Sequence, residues 1–298
     1  MTLRLATRRS PLALIQARYV QSRLEALGLE SELVLLDTKG DRDVATDLAT
    51  LGGQGVFAVE IQRALFNGDA DVAVHSAKDL PSITPEGLAL VSVPERRDPA
   101  DVLVGRSLAG LGPGATVATG SPRRRALLLE RRPDLHVVPL RGNMATRLSA
   151  AGKNGVDAVV AAMAALERLD EGALTSERLD LTWFVPQVGQ GALALEARVD
   201  DDTTRDALLL INNESAFRAV QAERAFLGEL GAGCSIPAGA HAEVDGDTLT
   251  LRGVMLAPDG TKSVRTELSG NDPLQLGRQV ARTLRDEMGG GALLGWDA

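Results

Sequence analysis

Leu5-Ala6-Thr7-Arg8-Arg9-Ser10-Pro11, near the start of the chain, has a counterpart further on in Val117-Ala118-Thr119-Gly120-Ser121-Pro122. In each, an extended apolar run ends in Ala-Thr, and a serine followed by proline signals the first turn of a helix. The first helix continues as an apolar-periodic run from Leu12 to Leu27 and stops at Gly28. The second runs from Arg123 to Arg131. Outward from the first segment, 32–37, 71–75 and 88–93 read as strands, with a helix around 59–66. Outward from the second, 115–119, 135–138 and 156–161 are strand-like. Strands alternating with helices predict α/β architecture, a mostly parallel sheet covered on both faces. Two segments this short can match by coincidence. The other reading is a pair of like domains whose helix starts face a shared cleft.

The chain has 298 residues, room for two or three domains. With 44% hydrophobic and 24% charged residues it is expected to fold, and no run of eighteen residues is both apolar and uncharged. Met1 to Ala6 contains no signal-peptide core, so a cytoplasmic protein is expected. One cysteine excludes an internal disulfide framework and a cysteine-clustered metal site. Three histidines far apart in sequence argue against a histidine metal centre, so no metal is expected.

A net charge of −8 argues against nucleic acid as the main partner. The basic residues are nevertheless lopsided: of 32, only Lys39, Lys78, Lys153 and Lys262 are lysines, leaving 28 arginines. A coding bias would produce this, as would a need for bidentate recognition of carboxylates or phosphates. The charged, proline-flanked segment Pro94 to Pro99 looks like a crossing between domains, and Val188-Gly189-Gln190-Gly191 like a hinge. From about Glu214 a helix (216–230), two hairpin-like turns at 245–247 and 258–260, and a last helix (273–288) suggest a small α+β domain.

Both Ser-Pro helix starts suit an anion, through unpaired N–H groups and the helix dipole. Arg8 and Arg9 precede one, and Arg123, Arg124 and Arg125 follow the other. Two of those three arginines are expected to reach a cleft and one to be solvated. Lys78 and Asp79 follow a buried-type strand, at the carboxyl end where open α/β sheets bind ligands, although a plain Asp-Leu-Pro turn with a solvated lysine reads equally well. His75 reads as a satisfied strand residue. Arg141 and Arg147 flank a glycine turn, forming a second basic cluster, and Arg168 follows an apolar run. A lone cysteine is most often a buried inert thiol. Cys234 instead sits in Gly231-Ala232-Gly233-Cys234-Ser235-Ile236-Pro237, a loop too glycine-rich for core. No histidine neighbours it in sequence, so covalent attachment is a better reading than a Cys-His nucleophile.

Taken in order, Ala6-Thr7-Arg8 with Ser10-Pro11-Leu12-Ala13-Leu14, His75 to Pro81, Glu130 to Leu135, Leu140-Arg141-Gly142-Asn143, Val188 to Gly191, and Glu223-Arg224-Ala225 leading to Gly233-Cys234 resemble the porphobilinogen deaminase family. The resemblance spans nearly the whole chain. It implies two periplasmic-binding-protein-like α/β domains, 1–95 with 190–212 and 96–189, plus a C-terminal α+β domain, 213–298. It further implies a monomeric transferase that joins four porphobilinogen molecules head to tail with loss of ammonia. They would be added to a dipyrromethane cofactor held by a thioether to Cys234, and hydrolysis would release hydroxymethylbilane.

By the same resemblance, Lys78, Ser121, Arg123, Arg124 and Arg147 hold cofactor carboxylates. Arg8, Ser10, Arg141, Arg147 and Arg168 serve the incoming ring, with Gln16 and Thr119 close by. Asp79 is the catalytic residue, accepting pyrrole N–H bonds and stabilising the azafulvene cation left by deamination. Six rings carry twelve carboxylates, which an acidic protein holds only in a locally basic cleft. The chain departs from the family pattern at Gly52-Gly53-Gln54-Gly55, where lysine is usual in place of Gln54, and at Pro122, Ala165 and Ala232. A non-enzymatic anion-binding protein would account for two α/β halves but leaves the cysteine loop unexplained.

Overall fold

A computed structural model describes residues 2–37, 58–231 and 236–296. The first sheet takes β1 (Leu3–Arg8), β2 (Ser31–Leu36), β3 (Val72–Ser76) and β4 (Leu88–Ser92). Helices α1 (Pro11–Glu25) and α2 (Val59–Phe66) connect them. Ser10 caps α1 by accepting from the Ala13 N–H at 3.3 Å, and Gly28 has the left-handed φ of 75° that ends it. Ala13, Ala17, Val20 and Leu24 recur at three- and four-residue spacing on its buried side. Ala17, Val20 and Leu24 pack on the β-face carrying Leu5, Val72 and Val74, while Ile61, Ala64 and Leu65 of α2 cover the opposite face.

The second sheet contains β5 (Asp101–Val104), β6 (Thr116–Ala118), β7 (His136–Val138), β8 (Ala158–Ala162) and β9 (Thr175–Arg178). Helices α3 (Pro122–Arg131), α4 (Met144–Leu148) and α5 (Met163–Arg168) accompany it. The chain then returns to the first sheet as β10 (Leu193–Arg198), followed by α6 (Asp202–Leu209) and α7 (Glu214–Glu229). Last come β11 (Ala238–Asp245), β12 (Thr248–Leu256) and β13 (Ser263–Gly270), paired antiparallel, and helix α8 (Pro273–Arg282). A π-helical turn (Thr283–Glu287) and the short α9 (Gly290–Leu293) finish the described chain. The regular α-helix thus stops earlier than the expected residue 288.

The strand orders are β2-β1-β3-β10-β4 and β7-β6-β8-β5-β9. They are the same arrangement. Each sheet is parallel through its first three strands, then admits one antiparallel strand that has just arrived from the other sheet. The sheets are therefore mixed, not mostly parallel as the alternation of strands and helices suggested. An arriving strand enters its sheet in the reverse direction, so β5 and β10 run against their neighbours. The crossing segments lie side by side, with Arg96 bridged to Ala192. The two Ser-Pro helices therefore start at equivalent places, after β1 and β6.

The α+β unit is tied to both crossing segments by Glu223, which has no exposed side-chain surface. Its carboxylate accepts from Arg96 Nη1 at 2.7 Å, the Gly189 N–H at 2.7 Å and the Ala242 N–H at 2.8 Å. His241 Nδ1 lies 3.5 Å away. These cationic and hydrogen-bonding partners outweigh burial and lower the Glu223 carboxyl from 4.5 to about 2. A carboxyl lowered on folding stabilises above its unfolded pKa, and that contribution disappears as pH falls from about 4.5 toward 2. Asp101, described below, adds to the same acid limb. Glu223→Gln should cost about 3–5 kcal/mol at neutral pH by stranding Arg96. Urea unfolding from pH 7 to pH 3 should show a shallower acid dependence in the variant than in the parent; parallel curves would contradict this.

Candidate active site

Lys78 and Asp79 occupy a single 3-10 turn, Ala77–Asp79, at the carboxyl end of β3. The crossing segment holds that turn. Ala77 N–H donates to Ala192 O at 3.0 Å, and Gln187 Nε2 donates to Lys78 O at 3.1 Å. Gly189, at φ 72°, lies so close that a Cβ would sit 3.0 Å from Lys78 N. Any side chain there would push the turn away.

A concavity opens beside the turn, lined by Arg8, Ser10, Ala13, Gln16, Ser76 and Asp79. Gln16 is buried and donates to Ser76 Oγ at 2.7 Å, which fixes both side chains in the wall. The structure thus brings Arg8, Ser10, Gln16 and Asp79 together. His75 also lines this wall, but its Nε2 lies 3.2 Å from Glu196 Oε2 and its side chain is buried. His75 is thus a buried strand residue at ion-pair distance from Glu196, although its Nε2 completes no hydrogen bond there.

A second concavity is lined by Ser121, Arg123, Gln187, Val188, Leu227 and Ile236. Ser121 caps α3 by accepting from Arg124 N–H at 3.4 Å, and Thr119 Oγ1 accepts from Ser121 N–H at 3.2 Å. Of the three consecutive arginines, Arg123 and Arg124 are buried while Arg125 is exposed and donates to Val137 O at 2.7 Å. The buried pair faces Asp101. Arg123 Nη2 reaches Asp101 Oδ2 at 2.8 Å, and Arg124 reaches Oδ1 through Nη2 at 2.6 Å and Nε at 3.0 Å. Gln190 Nε2 adds a bond to Oδ1 at 2.9 Å.

Arg147 is half-buried on α4 and donates through Nε to Gly142 O at 2.8 Å, whereas Arg141 is exposed. Arg168 stands apart from both concavities. Its Nη2 is 3.1 Å from Glu95 Oε2 and 2.8 Å from Gly191 O, at the crossing segments. Cys234 and Gln54 lie outside the described residues.

Charge is crowded here. Burial first, then the Arg124 charge, push the Lys78 ammonium from 10.5 down to about 8, against the pull of Asp79 and Asp101. Arg147 is lowered by burial and by Arg124. Asp101 is held at about 2, Arg123 and Arg124 overcoming its burial. Lys78, Arg123, Arg124 and Arg147 thus share one region with two carboxylates, an excess of positive charge suited to a polycarboxylate. Sequence reading missed Asp101, Gln190 as its partner, and Glu223 as a junction. The signal was available for Asp101 as a lone carboxylate opening the apolar run Asp101-Val102-Leu103-Val104.

Among the described residues, no group of three or more His, Cys, Asp or Glu could hold a metal ion, and no helix is long and apolar enough to cross a membrane. In overall shape the chain is similar to the methionine-binding protein MetQ. The TM-score is 0.44 at 13% identity, covering 74% of this chain and 93% of that one. A nutrient-binding protein from Burkholderia cenocepacia bound to methionine gives a TM-score of 0.41 at 15% identity, covering 76% and 94%. Sequence relatives are much nearer. The porphobilinogen deaminase of Trichlorobacter lovleyi is 43% identical, covering 98% of this chain and 95% of that protein. That of Geobacter sulfurreducens is 44% identical, covering 95% and 91%. Residues 3–206 match the family described as "Porphobilinogen deaminase, dipyromethane cofactor binding domain", and residues 217–286 match its C-terminal domain. The chain belongs to the porphobilinogen deaminase family.

Proposed function

We propose that this chain condenses four porphobilinogen molecules head to tail, with loss of ammonia, and releases hydroxymethylbilane by hydrolysis. The observation that carries the reading is Asp79: one carboxylate on a rigidly held turn, beside a concavity bearing Arg8 and Ser10 and next to a cation-rich wall. The residues fit a dipyrromethane, since the excess positive charge around Lys78, Arg123, Arg124 and Arg147 needs carboxylates. Ile236, two positions beyond Cys234, lines the same concavity as Ser121 and Arg123. Cys234 would hold the group by a thioether, with Lys78, Thr119, Ser121, Arg123, Arg124 and Arg147 around its acidic side chains. When bound, it supplies the nucleophilic pyrrole carbon to which substrate is joined.

The remaining chemistry belongs to the protein. Arg8, Ser10, Gln16, Arg141 and Arg147 bind and orient the acetate and propionate of the incoming ring through directed donors. Arg168 joins them by exchanging Glu95 for a substrate carboxylate. Asp79 accepts the pyrrole N–H and lowers the energy of the positive charge that develops as ammonia departs. Gln187, Gly189 and Ala192 keep the Asp79 turn from moving when that charge appears. The sheets support a division into 1–95 with 190–212, 96–189, and 213–298. The chain acts as a monomer in this reading, and a reducing cytoplasm would keep the single thiol available for attachment.

Intact-mass measurement should find the polypeptide plus two linked pyrroles, and Cys234→Ser should return the bare polypeptide mass. A full adduct on the serine variant would overturn the attachment site. Asp79→Ala should keep the adduct and lose about 100-fold or more in kcat. Unchanged turnover would remove Asp79 from the mechanism.

Lys78 also makes the site sensitive to pH. An anion paired with it restores its charge, so anion binding above about pH 8 draws in a proton. Calorimetric titration of the Cys234→Ser protein with benzenehexacarboxylate, in buffers of different ionisation enthalpy, should show greater proton uptake at pH 9 than at pH 7. Equal uptake at both would refute it.

A further inference from the structure

Asp101 contributes nothing to the surface of either concavity, yet four side-chain donor bonds converge on it. Its side chain is wholly buried at the start of β5, the strand that has just crossed from the first sheet. Arg123 and Arg124, which it holds, sit in the first turn of α3, where the helix dipole and two adjacent guanidinium groups repel one another. A buried guanidinium without a counter-ion is costly, so these arginines could not stay charged and inward without an anion between them. Other anchors complete the geometry. Arg123 Nη1 donates to Val185 O at 2.7 Å, and Arg124 Nη1 to Val160 O at 3.1 Å. Gln190, also wholly buried, grips Asp101 Oδ1 with the same amide nitrogen that reaches Pro99 O at 2.7 Å. One carboxylate is therefore bonded to the helix that bears the cations and, through Gln190, to both crossing segments.

We infer that Asp101 is a positioning residue. It fixes Arg124 and Arg123 beside the polycarboxylate that the site holds, and through Gln190 couples their placement to the crossing segments. It touches neither substrate nor cofactor and acts through the arginines. Its negative charge also helps keep Lys78 protonated, so its removal reaches the turn carrying Asp79.

The inference rests on the functional reading above, and the experiment separates the two. In the full chain, Asp101→Asn keeps the shape and removes the charge. Three measurements apply: the adduct-bearing fraction by intact mass, kcat and KM for porphobilinogen on the loaded fraction, and the alkaline limb of kcat/KM. The expected result is an adduct fraction below about half, with KM raised about tenfold and kcat within about threefold of the parent. The alkaline limb should also move to lower pH, because Lys78 loses a favourable neighbour. A purely structural ion pair would lower the melting temperature and leave the adduct fraction and KM at parental values, which would overturn the inference. Should Asp101→Asn fail to fold, Gln190→Met decides. It leaves Asp101 between its arginines, so a smaller change in the same directions supports the proposal and parental loading and KM overturn it. Parent protein without any pyrrole adduct would instead sink the functional reading itself, and this inference with it.

Discussion

Placing several like charges side by side, away from water, is the constraint on which this molecule is organised. Lys78, Arg124 and Arg147 lie close enough to feel one another, and burial together with that closeness lowers both Lys78 and Arg147. Two buried carboxylates make it tolerable. Asp101 holds the arginines of α3, and Glu223 holds Arg96 together with the N–H groups of Gly189 and Ala242. Both lie where elements from different sheets meet. The same groups that balance charge therefore also fix how the units are joined.

That coupling explains why the turn bearing Asp79 is so firmly seated. Its backbone meets Gln187, Gly189 and Ala192, and Gly189 is bonded in turn to Glu223. In the role proposed for Asp79, stabilising a developing cation depends on the carboxylate not relaxing, and a rigid seat serves that role.

Much of this was legible in the residues. The Ser-Pro helix starts, the Gly28 stop and the apolar periodicity of α1 are local signals, and the structure places them as read. Arg8, Ser10, Gln16 and Asp79, each singled out in the sequence, line one concavity. What the local pattern could not convey was the exchange of β5 and β10 between sheets, because an arriving strand carries the same apolar signature as a resident one. Nor could it tell how the arginines would be shared out. Arg168 follows an apolar run, as many site residues do, but is held by Glu95 and Gly191, which are remote in sequence. Asp101 opens an apolar strand and Glu223 sits beside Arg224 on a helix, and their importance emerges only once their distant donors are known.

The exchanged strands impose an order on biosynthesis. As the polypeptide leaves the ribosome, residues 1–92 emerge first, yet the space between β3 and β4 stays vacant until 193–198 have been translated. The N-terminal sheet must wait, with apolar edges open, while the intervening half is made and folds. A newly made chain is thus most vulnerable to misassociation midway through synthesis, when a chaperone would be of greatest use.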